Sequence, residues 1–348
     1  MSEPRPGGRT AELDRPGPPE AQRTKAPWYR GRIVRSLSWT TGFGFIAYAA
    51  MRLYGLETGW APVAMVSFTP YVAVAALVGA GLQALVRHWR AAAVTAAMAL
   101  ALSAAVVPRA VADPQPAAAG ESLTVLSVNL YVGEANLRHV VDLVDEHDPD
   151  LLSVQETTAP AIDRLAELGL TERLPHAITT TGRAAEGTSL YSRHPLERLE
   201  ELEPDGIFHQ IAAEVSLPDR STVRFLAVHT AAPYAPHRIP EWEQDFAELP
   251  RPDGDDRWIL AGDFNATLDH HAMRELLESG YTDAADATGR GLTATWRPVR
   301  GYLRGLVRPP GVALDHVLVE QDAAVLDFQV LDKDGSDHAP VLATVRMP

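Results

Sequence analysis

The chain has no cysteine among its 348 residues. That excludes a disulfide framework and any thiolate metal site, and it leaves the compartment open. Charge is missing from 29 consecutive residues, 58–86. A basic footprint is missing from the larger part of the chain. Residues 120–348 hold 19 Lys+Arg against 39 Asp+Glu, a net of −20, whereas residues 1–119 hold 12 against 6, a net of +6. A domain that acidic is a poor partner for a long polyanion, because nucleic-acid binders carry clustered basic residues. No close sequence repeat is visible, which argues against a solenoid.

What is present divides the chain into four parts. Residues 1–35 are rich in Pro, Gly, Arg and Glu and lack apolar periodicity, so they read as a disordered basic tail. Residues 36–110 contain three apolar stretches, 37–51, 58–86 and 91–108, each read as a transmembrane helix. The second comfortably exceeds the roughly 20 residues that cross a bilayer. Arg30, Arg32 and Arg35 precede the first stretch, and Arg87 and Arg90 separate the second from the third. The positive-inside rule then puts the N-terminus in the cytoplasm of a multi-pass plasma-membrane protein, with the remainder of the chain outside. Residues 111–122 read as a linker. "AVA" at 110–112 resembles a signal-peptidase site, and retention of the anchor is the preferred reading.

Residues 123–348 alternate strand-like and helix-like segments. "SLTVLSVNL" (122–130), "PDLLSVQE" (149–156), "RWILAGDFN" (257–265), "VALDHVLV" (312–319) and "APVLATVRM" (339–347) read as strands. "HQIAAEVSL" and "TVRFLAVHT" around "PDRS" read as a hairpin. Leu137, Val140, Val141 and Val144 form a helical stripe, and further helices are predicted near 158–168, 238–249 and 270–278. Polar residues collect where these strands stop: Asn129, Glu156, His229, Asp263, Asn265, Asp315, Asp337 and His338. Strand ends fixed by an apolar body are where functional side chains gather. Asp337 and His338 are neighbours, so on an extended segment they point to opposite faces and serve different partners.

The ordered pieces "SVNL", "DLLSVQE", "GTSLYSRHPL", "AVHT", "AGDFNAT", "LDHVLV" and "SDHAPV", spanning 125–341, resemble the endonuclease/exonuclease/phosphatase (DNase-I-like) superfamily. With the apolar region before them, the layout is similar to the membrane-anchored teicoplanin-resistance (VanJ-type) branch, linked to glycopeptide resistance. The resemblance implies a four-layer α/β sandwich, two packed mixed sheets flanked by helices, behind a helical transmembrane module. It implies Mg²⁺-dependent hydrolysis of a phosphate ester or anhydride, with Mn²⁺ as the other candidate. Hard oxygen ligands suit such a cation, and Glu156, assisted by Asn129 and Asp337, is the expected ligand set. His338 is the expected general base, with Asp315 orienting it. By family likeness Asp263 positions the nucleophile or assists the leaving group, Asn265 holds the phosphate, and His229 stabilises phosphoryl charge. His316 and His194 read as structural, and His270 and His271 as surface residues.

The substrate class follows from location and one loop. An outward-facing tethered domain meets lipid phosphates. Residues 289–311 carry Arg290, Arg297, Arg300, Arg304 and Arg308 with no acid, so Arg297, Arg300, Arg304 and Arg308 are candidate contacts to anionic lipid or a diphosphate. The leading expectation is hydrolysis of a lipid-linked phosphate or diphosphate of polyprenyl type. A surface nuclease, or a sphingomyelinase or phosphoinositide type of enzyme, is the alternative, and the acidity disfavours nucleic acid. A non-catalytic binding module is disfavoured by the intact Glu156, Asp263, Asp315 and His338.

Overall fold

A computed structural model describes residues 31–252, 254, 257–298 and 308–348. Most of the basic tail, together with Arg300 and Arg304, lies outside the described residues.

Four helices come first: α1 (Arg32–Tyr54), α2 (Trp60–Val66), α3 (Thr69–Leu85) and α4 (Trp89–Val106). Small residues let them approach closely: Ala49, Ala73, Ala76, Ala80, Ala91, Ala92 and Ala99 are all buried. The stretch 58–86, expected to be one span, is two helices bent by 75° at Ser67–Phe68. Pro70 fits the break: it lacks the N–H that would continue the helix to Val66 O, and it sits in the first turn of α3, where proline is tolerated. The freed carbonyls find other donors. Thr69 Oγ1 donates to Val66 O (2.7 Å), and Tyr48 Oη of α1 donates to Met65 O (3.0 Å). Among the described residues one helix, Trp89–Ala110, is long and apolar enough to cross a bilayer, and the bent pair is a second if it counts as one span.

The rest builds two six-stranded sheets. The first uses β1 (Ser122–Asn129), β2 (Leu151–Gln155), β3 (His176–Thr179), β4 (Thr188–Ser192), β11 (Ala324–Val330) and β12 (Val341–Arg346), in the order β11-β12-β1-β2-β4-β3. The second uses β5 (Leu196–Arg198), β6 (Ile211–Ser216), β7 (Thr222–His229), β8 (Trp258–Asp263), β9 (Tyr281–Asp283) and β10 (Asp315–Glu320), in the order β5-β6-β7-β8-β10-β9. Each sheet is mixed: β1–β2 and β7–β8 are parallel, and the other pairs are antiparallel. Helices α5 (Leu137–His147), α6 (Ala159–Glu167) and α7 (Leu170–Arg173) cover the first sheet, while α8 (Ile239–Glu248) and α9 (His271–Glu278) cover the second. A short α10 (Ala284–Ala287) follows β9. Two packed mixed sheets flanked by helices are therefore present, as the sequence led one to expect. Asn136 and Thr158 cap α5 and α6 through their side-chain oxygens, which ends the preceding loops at those residues.

Period-2 alternation sets which residues meet between the sheets. On β1 the inner face runs Leu123, Val125, Ser127, Asn129, and on β2 it runs Leu151, Ser153, Gln155. On β8 it runs Ile259, Ala261, Asp263, and on β7 it runs Val223, Phe225, Ala227, His229. The core is thus apolar at one end of the sandwich and polar at the other. Fully burying each aliphatic side chain contributes about 1.5–3 kcal/mol, which holds the polar end rigid. Ser153 Oγ bridges the two sheets by donating to Ala261 O (2.9 Å). Gly262 permits the close β7–β8 approach, because a Cβ there would lie 1.9 Å from Val228 O.

Candidate active site

The six strand ends converge at the polar end of the inter-sheet layer. β10 runs antiparallel to β8 and sets Asp315 opposite Asp263. The loop before β12 brings in His338, whose Nδ1 lies 2.9 and 3.0 Å from the two oxygens of Asp315. Its Nε2 lies 3.5 Å from Asp263 Oδ2. Asp263, Asp315 and His338 are buried and form one compact cluster. Asn129 Nδ2 donates to Glu156 Oε1 and Asp263 Oδ2, both at 3.1 Å, while its Oδ1 accepts from Tyr131 N. Asn129 therefore faces the site with its amino group. Glu156 also accepts from Val132 N (2.7 Å).

Left-handed backbone occurs at four residues here. Tyr131, Val132, Glu156 and Asn265 have φ of 50°, 57°, 58° and 46°. Left-handed geometry is costly for a β-branched residue, and such strain gathers at functional sites. Asn265 is the residue type that tolerates it. It closes a tight turn in which its N donates to Asp263 Oδ1 (2.9 Å) and its Nδ2 to Thr230 O (2.9 Å).

Both ring nitrogens of His338 face carboxylates, which suits an imidazolium with two N–H donors. Burial alone would depress its pKa, but Asp315, Asp263 and Asp337 outweigh burial and push it up to about 10. Asp263 is raised to about 7, chiefly by desolvation, with the charge of Asp315 adding to it and that of His338 opposing it. Glu156 is also raised by burial. His229 is pushed down to about 3 by burial and by the charge of His338, so it is a neutral imidazole. It stacks on Phe208 at 4.2 Å.

Asp337 and His338 do serve different partners. Asp337 Oδ2 accepts from Trp296 Nε1 (3.0 Å), and its Oδ1 is buried with no hydrogen-bond partner among the described residues. Arg297 is exposed beside this point, and its N donates to Asp337 O (3.1 Å). Arg308 is also exposed. His316 points away from Asp315, as expected. Its Nδ1 meets Asp283 Oδ2 (2.8 Å) and its Nε2 meets Ala266 O (3.0 Å). His194 lies after β4, its Nε2 3.4 Å from Asp150.

His270 corrects the sequence reading. It is 1% exposed rather than a surface residue. Its Nδ1 accepts from Thr267 N (2.8 Å), so the proton sits on Nε2 and is donated to Val63 O of α2 (3.1 Å). His271 is exposed, as expected. Sequence reasoning missed Thr295, whose Oγ1 donates to Asp315 Oδ2 (2.6 Å) and accepts from Asp315 N (3.1 Å). It also missed Ser336, whose Oγ donates to Asn129 O (2.8 Å). A lone hydroxyl in a loop carries no spacing signal, and only the packed sheets reveal these partners.

The comparisons with known proteins agree with the fold. No curated protein sequence matches the chain. A solved endonuclease/exonuclease/phosphatase from Beutenbergia cavernae superposes with a TM-score of 0.50 at 19% identity, covering 65% of this chain and 72% of that one. D. rerio TDP2, solved with a single-strand DNA product, superposes with a TM-score of 0.54 at 14% identity, covering 65% and 100%. At those identities the likeness is one of fold. The model of the Endonuclease/Exonuclease/phosphatase family matches residues 126–338, more than half of the chain and the whole of the converging site. The chain belongs to the endonuclease/exonuclease/phosphatase family.

Proposed function

We propose that the protein is a divalent-metal-dependent phosphohydrolase that cleaves a lipid-linked phosphate or diphosphate, of polyprenyl type, on the outer face of the membrane. The observation that carries the reading is a charge imbalance. Four carboxylates, Glu156, Asp263, Asp315 and Asp337, surround one imidazole at the buried end of the sandwich. Such a group of anions calls for a cation. The donor set fits one: Glu156 and the unpaired Asp337 Oδ1 are hard oxygen donors, suited to Mg²⁺ or Mn²⁺. When bound, the cation would polarise a phosphoryl oxygen and offset the carboxylates around His338.

The chain's own groups carry the proton. Held between Asp315 and Asp263, His338 favours its charged form, while burial raises Asp263. We therefore assign proton abstraction from the attacking water to Asp263. His338 holds charge on the phosphoryl oxygens, and Asp315 locks its Nδ1. This differs from the sequence reading, which gave proton abstraction to His338, nucleophile positioning or leaving-group assistance to Asp263, and phosphoryl charge to His229. Asn265 remains the phosphate-holding group, and neutral His229 can offer only a hydrogen bond.

The lipid part of the reading is supported by the helices. Phe43, Val74, Leu77, Val78, Leu82 and Leu100 are exposed apolar residues on α1, α3 and α4. Exposed apolar residues in that number on three packed helices suit lipid better than water. The possible link to glycopeptide resistance rests on the sequence resemblance. The test is phosphate release by the full-length protein with Mg²⁺, offered a polyprenyl diphosphate, a phosphoinositide, sphingomyelin and plasmid DNA. Preference for the diphosphate supports the reading. Preference for DNA overturns it in favour of a surface nuclease.

A further inference from the structure

The helices do not merely precede the sandwich: they are seated on its active-site end. Asp269 lies on the segment that leads from Asp263 and Asn265 to α9, and it is 1% exposed. Arg52 of α1 reaches its Oδ1 through Nε at 2.6 Å. Arg109, just beyond α4, grips both oxygens, Nη1 to Oδ2 at 2.9 Å and Nη2 to Oδ1 at 3.0 Å, and adds Leu268 O at 3.3 Å. Both arginines are buried. Further contacts surround this ion cluster. Glu57 Oε1 accepts from His271 N (2.5 Å), His270 donates to Val63 O, and Arg274 Nη2 donates to Arg52 O (2.9 Å). Val63 itself packs into the same apolar cluster as Leu268, Met273 and Leu276. Tyr71 Oη of α3 donates to Gly311 O (2.7 Å), four residues before Asp315.

We propose that Arg52 and Arg109 are positioning residues. By clamping Asp269 they fix the sandwich with its active-site end toward the bilayer, within reach of a phosphate carried on a membrane lipid. This rests on the phosphohydrolase reading above. Two lengths support it. The 22-residue helix Trp89–Ala110 is about 33 Å long at 1.5 Å per residue, which matches a hydrocarbon core of about 30 Å. Its C-terminal end, with Arg109, then lies in the headgroup layer. Asp263 is six residues from Asp269, so their Cα atoms are at most about 22 Å apart. A flexible tether would allow the acidic domain to drift from an anionic surface. Two buried arginines on Asp269, one of them bidentate, do not.

Because the chain has no cysteine, Leu100→Cys on α4 and Leu326→Cys on β11, both exposed, give a unique spin-label pair. The full-length protein in phosphatidylcholine vesicles is compared with its Arg52→Gln/Arg109→Gln variant. One substrate is undecaprenyl diphosphate in the bilayer, the other isopentenyl diphosphate in solution. The expected result is a narrow label–label distance that broadens in the variant. KM for the bilayer substrate should rise at least about tenfold, with kcat on the soluble one within about twofold. An unchanged distance, or an equal loss on both substrates, overturns the proposal. If the double variant does not fold, Asp269→Asn carries the same comparison. If the wild-type protein hydrolyses neither compound, the function above has failed. The distance distribution alone then judges the clamp: broadening in the variant supports it and no broadening overturns it.

Discussion

Two buried polar clusters lie six residues apart along one segment of this chain, and they differ in kind. Around Asp269 both carboxylate oxygens are bonded and two arginines answer the charge. Around Asp263 four carboxylates share one imidazole, and among the described residues Asp337 Oδ1 and His229 Nδ1 have no hydrogen-bond partner. A buried carboxylate with both oxygens answered by arginines is a joint. An unsatisfied cluster, beside left-handed backbone at Glu156 and Val132, is where the proposed function puts cation and substrate. Both consist of buried Asp with basic partners. The distinction between them lies in the balance of donors and acceptors.

That comparison can be broken by substitution. At the open cluster, His338→Ala removes the group that holds phosphoryl charge and should reduce turnover by about 10²–10³-fold, with far-UV circular dichroism and melting close to wild type. A folded variant with near-normal turnover removes His338 from the chemistry. At the satisfied cluster the opposite outcome is expected. Asp269→Ala leaves two buried arginines unanswered and should cost about 3–5 kcal/mol of stability, read by denaturant titration. A loss below about 1 kcal/mol would mean that the joint is solvated. Gly262→Ala tests the frame that carries both clusters. Its Cβ would collide with Val228 O, and about 1–3 kcal/mol of destabilisation is expected.

The smallest effect is a shift in a pH profile. Asp263 must be ionised to take a proton, and its pKa is raised to about 7. Activity should therefore fall as pH drops through that value. A bound cation stabilises the carboxylate, so in metal-loaded protein the acid limb should sit at or below about 7. Asp263→Asn should abolish the limb along with most of the activity. A limb that persists in the residual activity of Asp263→Asn would assign the titration to another group.

Much of the sandwich was legible in the residues. Alternation in "SLTVLSVNL", "TVRFLAVHT" and "RWILAGDFN" identified β1, β7 and β8, and the polar residues ending them proved to be the converging ones. The stripe of Val140, Val141 and Val144 gave α5. Five strands escaped. β5 and β9 have three residues each and β3 four, too few for a period to register, and β4 is buried on both faces and so shows no alternation. β11 escaped as well, its ladder with β12 interrupted by a bulge between Val325 and Asp327.

The sequence by itself determined the apolar N-terminal region, the order of the strands along the chain, and the chemical types at their ends, because periodicity and residue type are local properties. Tertiary structure decided the rest. It aimed the amino group of Asn129 at two carboxylates, gave Thr295 to Asp315, buried His270, and joined Arg52 and Arg109 to an aspartate 217 and 160 residues away. Such pairings depend on which faces of two packed sheets and four helices come together. No pattern within a short window of sequence encodes a contact between segments so far apart.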